Sequence, residues 1–225
     1  ADRMFIPYDE QRGIHPQDIS FLDQEPWDFA GVPADDYPLL LHYHPLVLRR
    51  HQVVKQADVV LAMFLLGNQF TAEQRRANFS YYEPITTADS SLSHAIQSIV
   101  GAEVHEQSLA ELHFYHALYM DLINWAGNAQ DGVHIASAGG VWMALVYGFG
   151  GLRDYDGNLT FEPHLPEAWT GLSFTLRARG SALQVALSHE AIAFQLLEGM
   201  PIDVEVNGTR IAITREGRAV VPLAG

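Results

Sequence analysis

No cysteine occurs in the 225 residues, which excludes a disulfide framework, a thiolate metal site and a cysteine nucleophile together. Basic residues are scarce too: 13 Lys and Arg stand against 27 Asp and Glu, for a formal net charge of −14. So acidic a surface suits neither nucleic acid nor an anionic lipid face, whereas a neutral sugar meets no charge barrier. No apolar run reaches the roughly 18 residues that a helical membrane span requires. The opening ADRMFIPYDEQ also lacks the charged, apolar and small-residue order of a secretory signal. These absences predict a cytoplasmic protein with neither a nucleic-acid nor a membrane partner.

What is present is a core-forming composition, 48% hydrophobic, in a chain long enough for two structural units. The chain opens at full hydrophobicity with MFIPYDE and has no Met at position 1, as a stretch of a longer polypeptide would. Residues 1–37 are rich in Pro, Asp, Gly and aromatics without a period, which predicts long structured loops that line or cover a site. Tyr8, Phe21, Trp27 and Phe29 could stack on a sugar ring there or pack beneath the loop.

Residues 37–67 turn helical, as LLLHYHPLVLRRH and then QVVKQADVVLAMFLLG. The second run is apolar nearly all round, which predicts a buried helix interrupted at its start by Lys55, Gln56 and Asp58. A lysine there must pair, with Asp58 the nearest partner, or be employed on a ligand such as a sugar hydroxyl. Both readings stay open on these residues alone.

Thr71 to Gln74 form a capping box for a helix that Pro84 ends. In ITTADSSLSHAIQSIVGAE, Asp89 is a natural N-cap, which places Ser90 and Ser91 in the first turn and Leu92, Ile96 and Ile99 inward. The unpaired amides of such a turn can hold an anion. Residues 105–126 predict a long amphipathic helix with Leu109, Leu112, His116, Leu118 or Tyr119 and Leu122 inward. His105, His113 and His116 lack the zinc-helix spacing, a histidine pair enclosing a glutamate, and read as packing or surface residues, so no metal is expected.

The run 131–142, DGVHIASAGGVW, has the parts of an anion site: a turn at Asp131 and Gly132, then His134 and Ser137, then Gly139 and Gly140 where VWMALVYGF begins a helix. The competing reading is a tight packing turn in which His134 satisfies a backbone carbonyl. After Gly150 and Gly151 the period shortens. Residues 159–161, 172–177, 182–188, 191–197, 202–206, 210–213 and 219–221 read as strands of an antiparallel sandwich. Arg179-Gly180 and Asn207-Gly208 mark turns, the second a two-residue hairpin. This part carries no recognisable chemistry.

The order QVVKQADVVLA, FSYYEPITTADSSLS, DGVHIASAGGVW, followed by a β-rich unit, resembles glycoside hydrolase family 65, the maltose, kojibiose and trehalose phosphorylases. The resemblance covers essentially the whole chain. It implies an α + β multidomain protein: the C-terminal half of an (α/α)6 barrel over residues 1–151, then a small jelly-roll-like antiparallel β-sandwich over residues 152–225. It implies that Lys55 and Gln56 hold the glucosyl unit. His134, Ser137 and the backbone at Gly139 and Gly140 would bind inorganic phosphate, with help from Ser90 or Ser91. Phosphate is then a co-substrate and no cofactor is needed.

Enzymes of this family are similar in using one glutamic acid to protonate the leaving group while phosphate attacks the anomeric carbon from the opposite face, giving β-glucose 1-phosphate with inversion. The resemblance places that glutamate just upstream of Ala1, and Glu10, Glu25 and Glu83 are not substitutes. The chain is therefore expected to hold no catalytic residue and to be inactive alone. The partners expected are an α-glucosidic disaccharide, phosphate and the N-terminal remainder of the polypeptide, with a homodimer as a candidate assembly. Two alternatives stand: an inverting hydrolase of the same family, and a non-catalytic carbohydrate-binding or structural module.

Overall fold

Proline, aspartate and glycine keep the N-terminal segment irregular in the computed structural model, which describes residues 6–87, 90–124, 127 and 129–223. Its helices are short: 3-10 turns at Phe21–Asp23, Phe29–Gly31 and Ala34–Asp36, then α1 (Leu39–His42) and α2 (Pro45–Leu48). Strands β1 (Glu25–Pro26) and β2 (His51–Gln52) pair in parallel. The continuous helical reading of residues 37–67 is thus corrected. Pro45 holds His44 extended, and Val54 is drawn out of any helix by a bridge to Thr86. Its amide donates to Ile85 O at 2.9 Å, and its carbonyl accepts from Thr87 N at 2.9 Å.

The helix expected to open with Lys55 begins only at α3 (Asp58–Leu65). It buries Val60, Met63 and Phe64 and leaves Leu65 exposed, so it is not buried all round. The capping box forms as expected at α4 (Ala72–Tyr82): Thr71 Oγ1 accepts from Gln74 N at 3.2 Å, and Gln74 Oε1 accepts from Thr71 N at 3.0 Å. Pro84 then sits in a closing 3-10 turn.

α5 (Ser93–Glu103) is the hub, buried from Ser93 to Ala102 except at Ile96. The Asp89 cap lies outside the described residues, and Ser90 and Ser91 precede the helix instead of forming its first turn. α6 (Gln107–Tyr119) ends earlier than expected, and Ala126 lies outside the described residues. Its inward face is also rotated. Ala110, His113, Phe114 and Ala117 are buried, while Leu112, Tyr119 and Leu122 are exposed. The cause is close approach: a Cβ on Gly101 of α5 would lie 3.4 Å from the Ala110 backbone, so small residues hold the contact and the leucines turn outward.

α7 (Ile135–Met143) starts four residues before Gly139 and continues into a π turn, Ala144–Phe149. The expectation that Gly139 and Gly140 open this helix is therefore corrected: both are interior. α7 runs parallel to α5, with Gly140 against Ala95 and Gly148 against Ile99. A Cβ on Gly140 would stand 2.6 Å from Ala95 Cβ, whereas nothing lies within 4 Å of one on Gly139. Gly140→Ala should accordingly cost about 1–3 kcal/mol by overpacking, while Gly139→Ala should gain up to about 1 kcal/mol of helix propensity. Urea unfolding of the two variants checks this; equal effects would place the interhelical contact elsewhere.

The β unit comprises β3 (Leu152–Arg153), β4 (Thr160–Phe161), β5 (Leu172–Ala178), β6 (Ser181–Leu187), β7 (Ala191–Glu198), β8 (Ile202–Val206), β9 (Thr209–Ile213) and β10 (Arg218–Pro222). One sheet has the order β10-β7-β6-β5, the other β3-β4-β8-β9. Phe161, Val204 and Val206 from one sheet share a core with Val185, Ile192 and Phe194 from the other. β4 and β8 pair in parallel, so the second sheet is not wholly antiparallel. Both expected turns form with left-handed backbone, φ +51° and +77° at Arg179 and Gly180, +46° and +79° at Asn207 and Gly208.

Charge joins the helices to the β unit. Glu103 at the end of α5 takes Arg75 Nε at 3.0 Å and Arg153 Nη2 at 2.9 Å. Nearby, burial, followed by the His105 ring and Arg153, pushes His164 down to about 4. A group neutral in the fold but basic when unfolded, near pH 6.5, makes the unfolded chain bind more protons below that pH. Stability should therefore fall as pH drops from about 6.5 toward 4, and His164→Gln should flatten that slope. Denaturant midpoints of both proteins at pH 7 and pH 5 check it; parallel losses would assign the slope elsewhere. No helix among the described residues is long and apolar enough to cross a membrane.

Candidate functional site

The Val54 bridge has a chemical result: it sets residues 55 and 56 next after the residue paired with Thr86, and within reach of Ser90. Gln56 Nε2 donates to Ser90 Oγ at 2.9 Å, and Ser90 itself is 9% exposed. Two residues 34 apart in sequence, one from each of two separately noticed stretches, thus meet. Lys55 is exposed instead of buried, and among the described residues no ion pair joins it to Asp58, so burial does not require it to pair. It lies instead at the rim of a cavity of about 870 Å³. Phe21, Arg49, His51, Lys55, Gln56 and Thr87 are among its lining residues.

Of the four loop aromatics, Phe21 lines this cavity, buried at 3% exposure beside Tyr82. Trp27 packs edge-on against Tyr43 and His51, and Tyr8 against His15, so these rings are engaged in packing. Phe29 is half-buried in its 3-10 turn. Glu10 and Glu25 are exposed, and Glu83 faces His113 at 3.4 Å.

His134 is the N-cap of α7. Its backbone N–H donates to Asp121 Oδ2 at 2.9 Å, and its Nδ1 lies 2.6 Å from Asp121 Oδ1. That two-point grip, chiefly the ring bond and then the backbone one, holds the Asp121 carboxyl below its ordinary range. An ionised carboxylate only accepts, so Nδ1 carries the proton in this contact. Asp121 is thus one partner that holds the ring.

The helix start leaves the amides of Ala136 and Ser137 at its second and third positions without intrahelical acceptors, and no side chain caps them. These, and not Gly139 and Gly140, are the amides at the positive end of the dipole. Ser137 is 2% exposed, with its Oγ 3.5 Å from Ala117 O. Gly139 is exposed and Gly140 is occupied by Ala95. Because α5 and α7 run parallel, their N-termini, with Ser90 and Ser91 before one and His134 before the other, point the same way.

Two features escaped the sequence. Asp121 sits in the plain-looking DLIN, and only its thirteen-residue separation from His134 across a turn would have suggested a cap. His94 was passed over, yet it meets His113 and His116, with Nδ1 of His94 and of His113 3.0 Å apart. The two other rings and, above all, burial push His94 down to about 3.

The chain folds as a helical layer followed by a β unit of two sheets. It superposes with TM-score 0.90 on a putative kojibiose phosphorylase from human microbiome, 27% identical, over 99% of this chain and 29% of that one. The profile of the glycosyl hydrolase family 65 central catalytic domain matches residues 1–143, and that of the family 65 C-terminal domain matches residues 152–213. The chain belongs to glycosyl hydrolase family 65. It is 47% identical over 204 residues to the alpha,alpha-trehalose phosphorylase of Thermoanaerobacter brockii, covering 91% of this chain and 26% of that protein. It is 34% identical to the kojibiose phosphorylase of Halothermothrix orenii, over 99% of this chain and 29% of that protein. The chain thus spans between a quarter and a third of the length of such relatives.

Proposed function

We propose that these residues form the phosphate site and part of the glucose site of a disaccharide phosphorylase. The whole enzyme would cleave an α-glucosidic bond with inorganic phosphate and release β-glucose 1-phosphate with inversion. The observation that carries this reading is the Gln56 to Ser90 hydrogen bond, which couples the residue assigned to the sugar with the one assigned to the anion. In this reading Lys55 and Gln56 hold the glucosyl hydroxyls. His134 and Ser137, with the amides of Ala136 and Ser137 taking the role first given to Gly139 and Gly140, hold phosphate, and Ser90 or Ser91 orients it. Residues 1–151 would be half of an (α/α)6 barrel and residues 152–225 a jelly-roll-like sandwich, in a cytoplasmic enzyme that is a candidate homodimer.

The general acid is proposed to lie outside this chain, since Glu10 and Glu25 are exposed and Glu83 is engaged with His113. Asp121, a carboxylate at the α7 start, is bound to His134, which speaks against a hydrolase that would use it as base. The test is glucose 1-phosphate formation by the whole enzyme from α,α-trehalose first, then kojibiose and maltose. Trehalose leads because identity is higher to two trehalose phosphorylases, 47% and 42%, than to the kojibiose and maltose enzymes, 34% and 32%. Phosphate-independent release of glucose would replace this reading by the hydrolase. The 225-residue chain alone should give no detectable product, because a general acid is worth about a hundred- to ten-thousand-fold.

A further inference from the structure

His94 lies in the first turn of α5, and His113 and His116 lie one turn apart near the end of α6. The two helices pack antiparallel and close, with Gly101 against Ala110, so the three rings meet at the open end of the hairpin. One ligand nitrogen from each lies within 4.8 Å of the other two. His94 and His113 are 7% and 6% exposed, and His116 is half-buried, open enough to admit an ion and a water.

A zinc ion bonded at about 2.0–2.1 Å in a tetrahedron sets its nitrogen ligands about 3.4 Å apart. The 3.0 Å between the Nδ1 atoms of His94 and His113 is within a few tenths of that spacing, and a His116 nitrogen lies within 4.8 Å of a nitrogen of each. Behind His113, its Nε2 stands 3.4 Å from Glu83 Oε1. A carboxylate in that place is what orients a metal-bound imidazole.

We propose that His94, His113 and His116 form a binding site for a divalent transition-metal ion of the zinc class, with Glu83 as a positioning residue behind His113 and water as the fourth ligand. Three imidazoles favour zinc, cobalt or nickel over magnesium or calcium, which demand oxygen. A bound ion would tie the start of α5 to the end of α6, and so fix the segment carrying Ser90, four residues before His94. Its role is to hold the helices, since the ligands face one another across the hairpin.

Chelator-treated protein titrated with Co²⁺ should bind one equivalent at this site and show the intense visible band of a four- or five-coordinate ion, displaced by Zn²⁺. Zn²⁺ should also raise the thermal midpoint. His116→Asn, at the half-buried position, should remove both the band and the thermal shift while keeping the circular dichroism of the parent. Glu83→Gln should retain the band and weaken affinity about 10- to 100-fold. Only the weak spectrum of hydrated Co²⁺, or a band unchanged in both His116→Asn and His94→Gln, would overturn the proposal by placing any binding on other histidines.

Discussion

Glu103→Ala should lower the stability of the protein by about 3 kcal/mol, the largest single-residue loss expected here, because it strands two guanidinium groups at once. The Glu103, Arg75 and Arg153 side chains are 14%, 19% and 11% exposed, so water reaches them poorly. Arg75 also donates to the carbonyls of Gly67 and Phe70 at 2.8 and 2.7 Å, and Arg153 stands over the Phe64 ring at 5.2 Å. Neither arginine can swing into solvent without giving up those contacts. Glu103→Gln keeps the shape and one acceptor, and should cost less. Urea unfolding of the three proteins decides it: a loss below about 0.5 kcal/mol for the alanine variant would show a solvated surface pair instead. Arg153 opens the β unit and Arg75 belongs to the helical layer, so a probe in each should report the same earlier transition.

The β unit was legible in the sequence almost strand for strand, because its pattern is local. Alternation and the Arg179-Gly180 and Asn207-Gly208 turns each fix a register within a few residues. The parallel β4 to β8 pairing was not, since it depends on which chain passes beside Thr160 over a long separation. Among the helices, the Thr71 capping box was legible for the same local reason. The faces of α6 were not. A leucine stripe predicts inward packing only if the partner helix stands at ordinary distance, and Gly101 and Ala110 bring α5 too close for that. The pair Gly139 and Gly140 suggests a helix start four residues late, because the glycine that matters, Gly140, serves contact with Ala95 inside α7.

Site residues followed a similar division. Pairing of Gln56 with Ser90 rests on a bridge between Val54 and Thr86 that no periodicity announces. The three-histidine cluster joins an i, i+3 pair on one helix to a ring on another, so a search for a single-helix motif passes it by. Asp121 became visible only through its partner. The residues recognised as chemistry were those whose neighbours in sequence are also their neighbours in space.

His134→Ala in the whole enzyme should raise the phosphate KM about 10- to 100-fold while moving the disaccharide KM by less than about threefold. A hydrogen bond to a charged group is worth about 1.5–3 kcal/mol, and each 1.4 kcal/mol is tenfold. The reason the effect should be confined to phosphate is geometric. His134 is the N-cap of α7, whose second and third amides would serve the anion in the proposed site, while Lys55 and Gln56, proposed to hold the sugar, come from a separate segment. Asp121→Asn tests how the ring is held. With its carboxylate replaced by an amide, the ring loses the acceptor that fixes Nδ1–H, so the phosphate KM should again rise, by less than in His134→Ala. Steady-state titrations in each substrate separately are the measurement. Equal rises in both KM values, or a fall in kcat alone with phosphate KM unchanged, would return the α7 start to a packing role, in which Asp121 serves only to cap the helix.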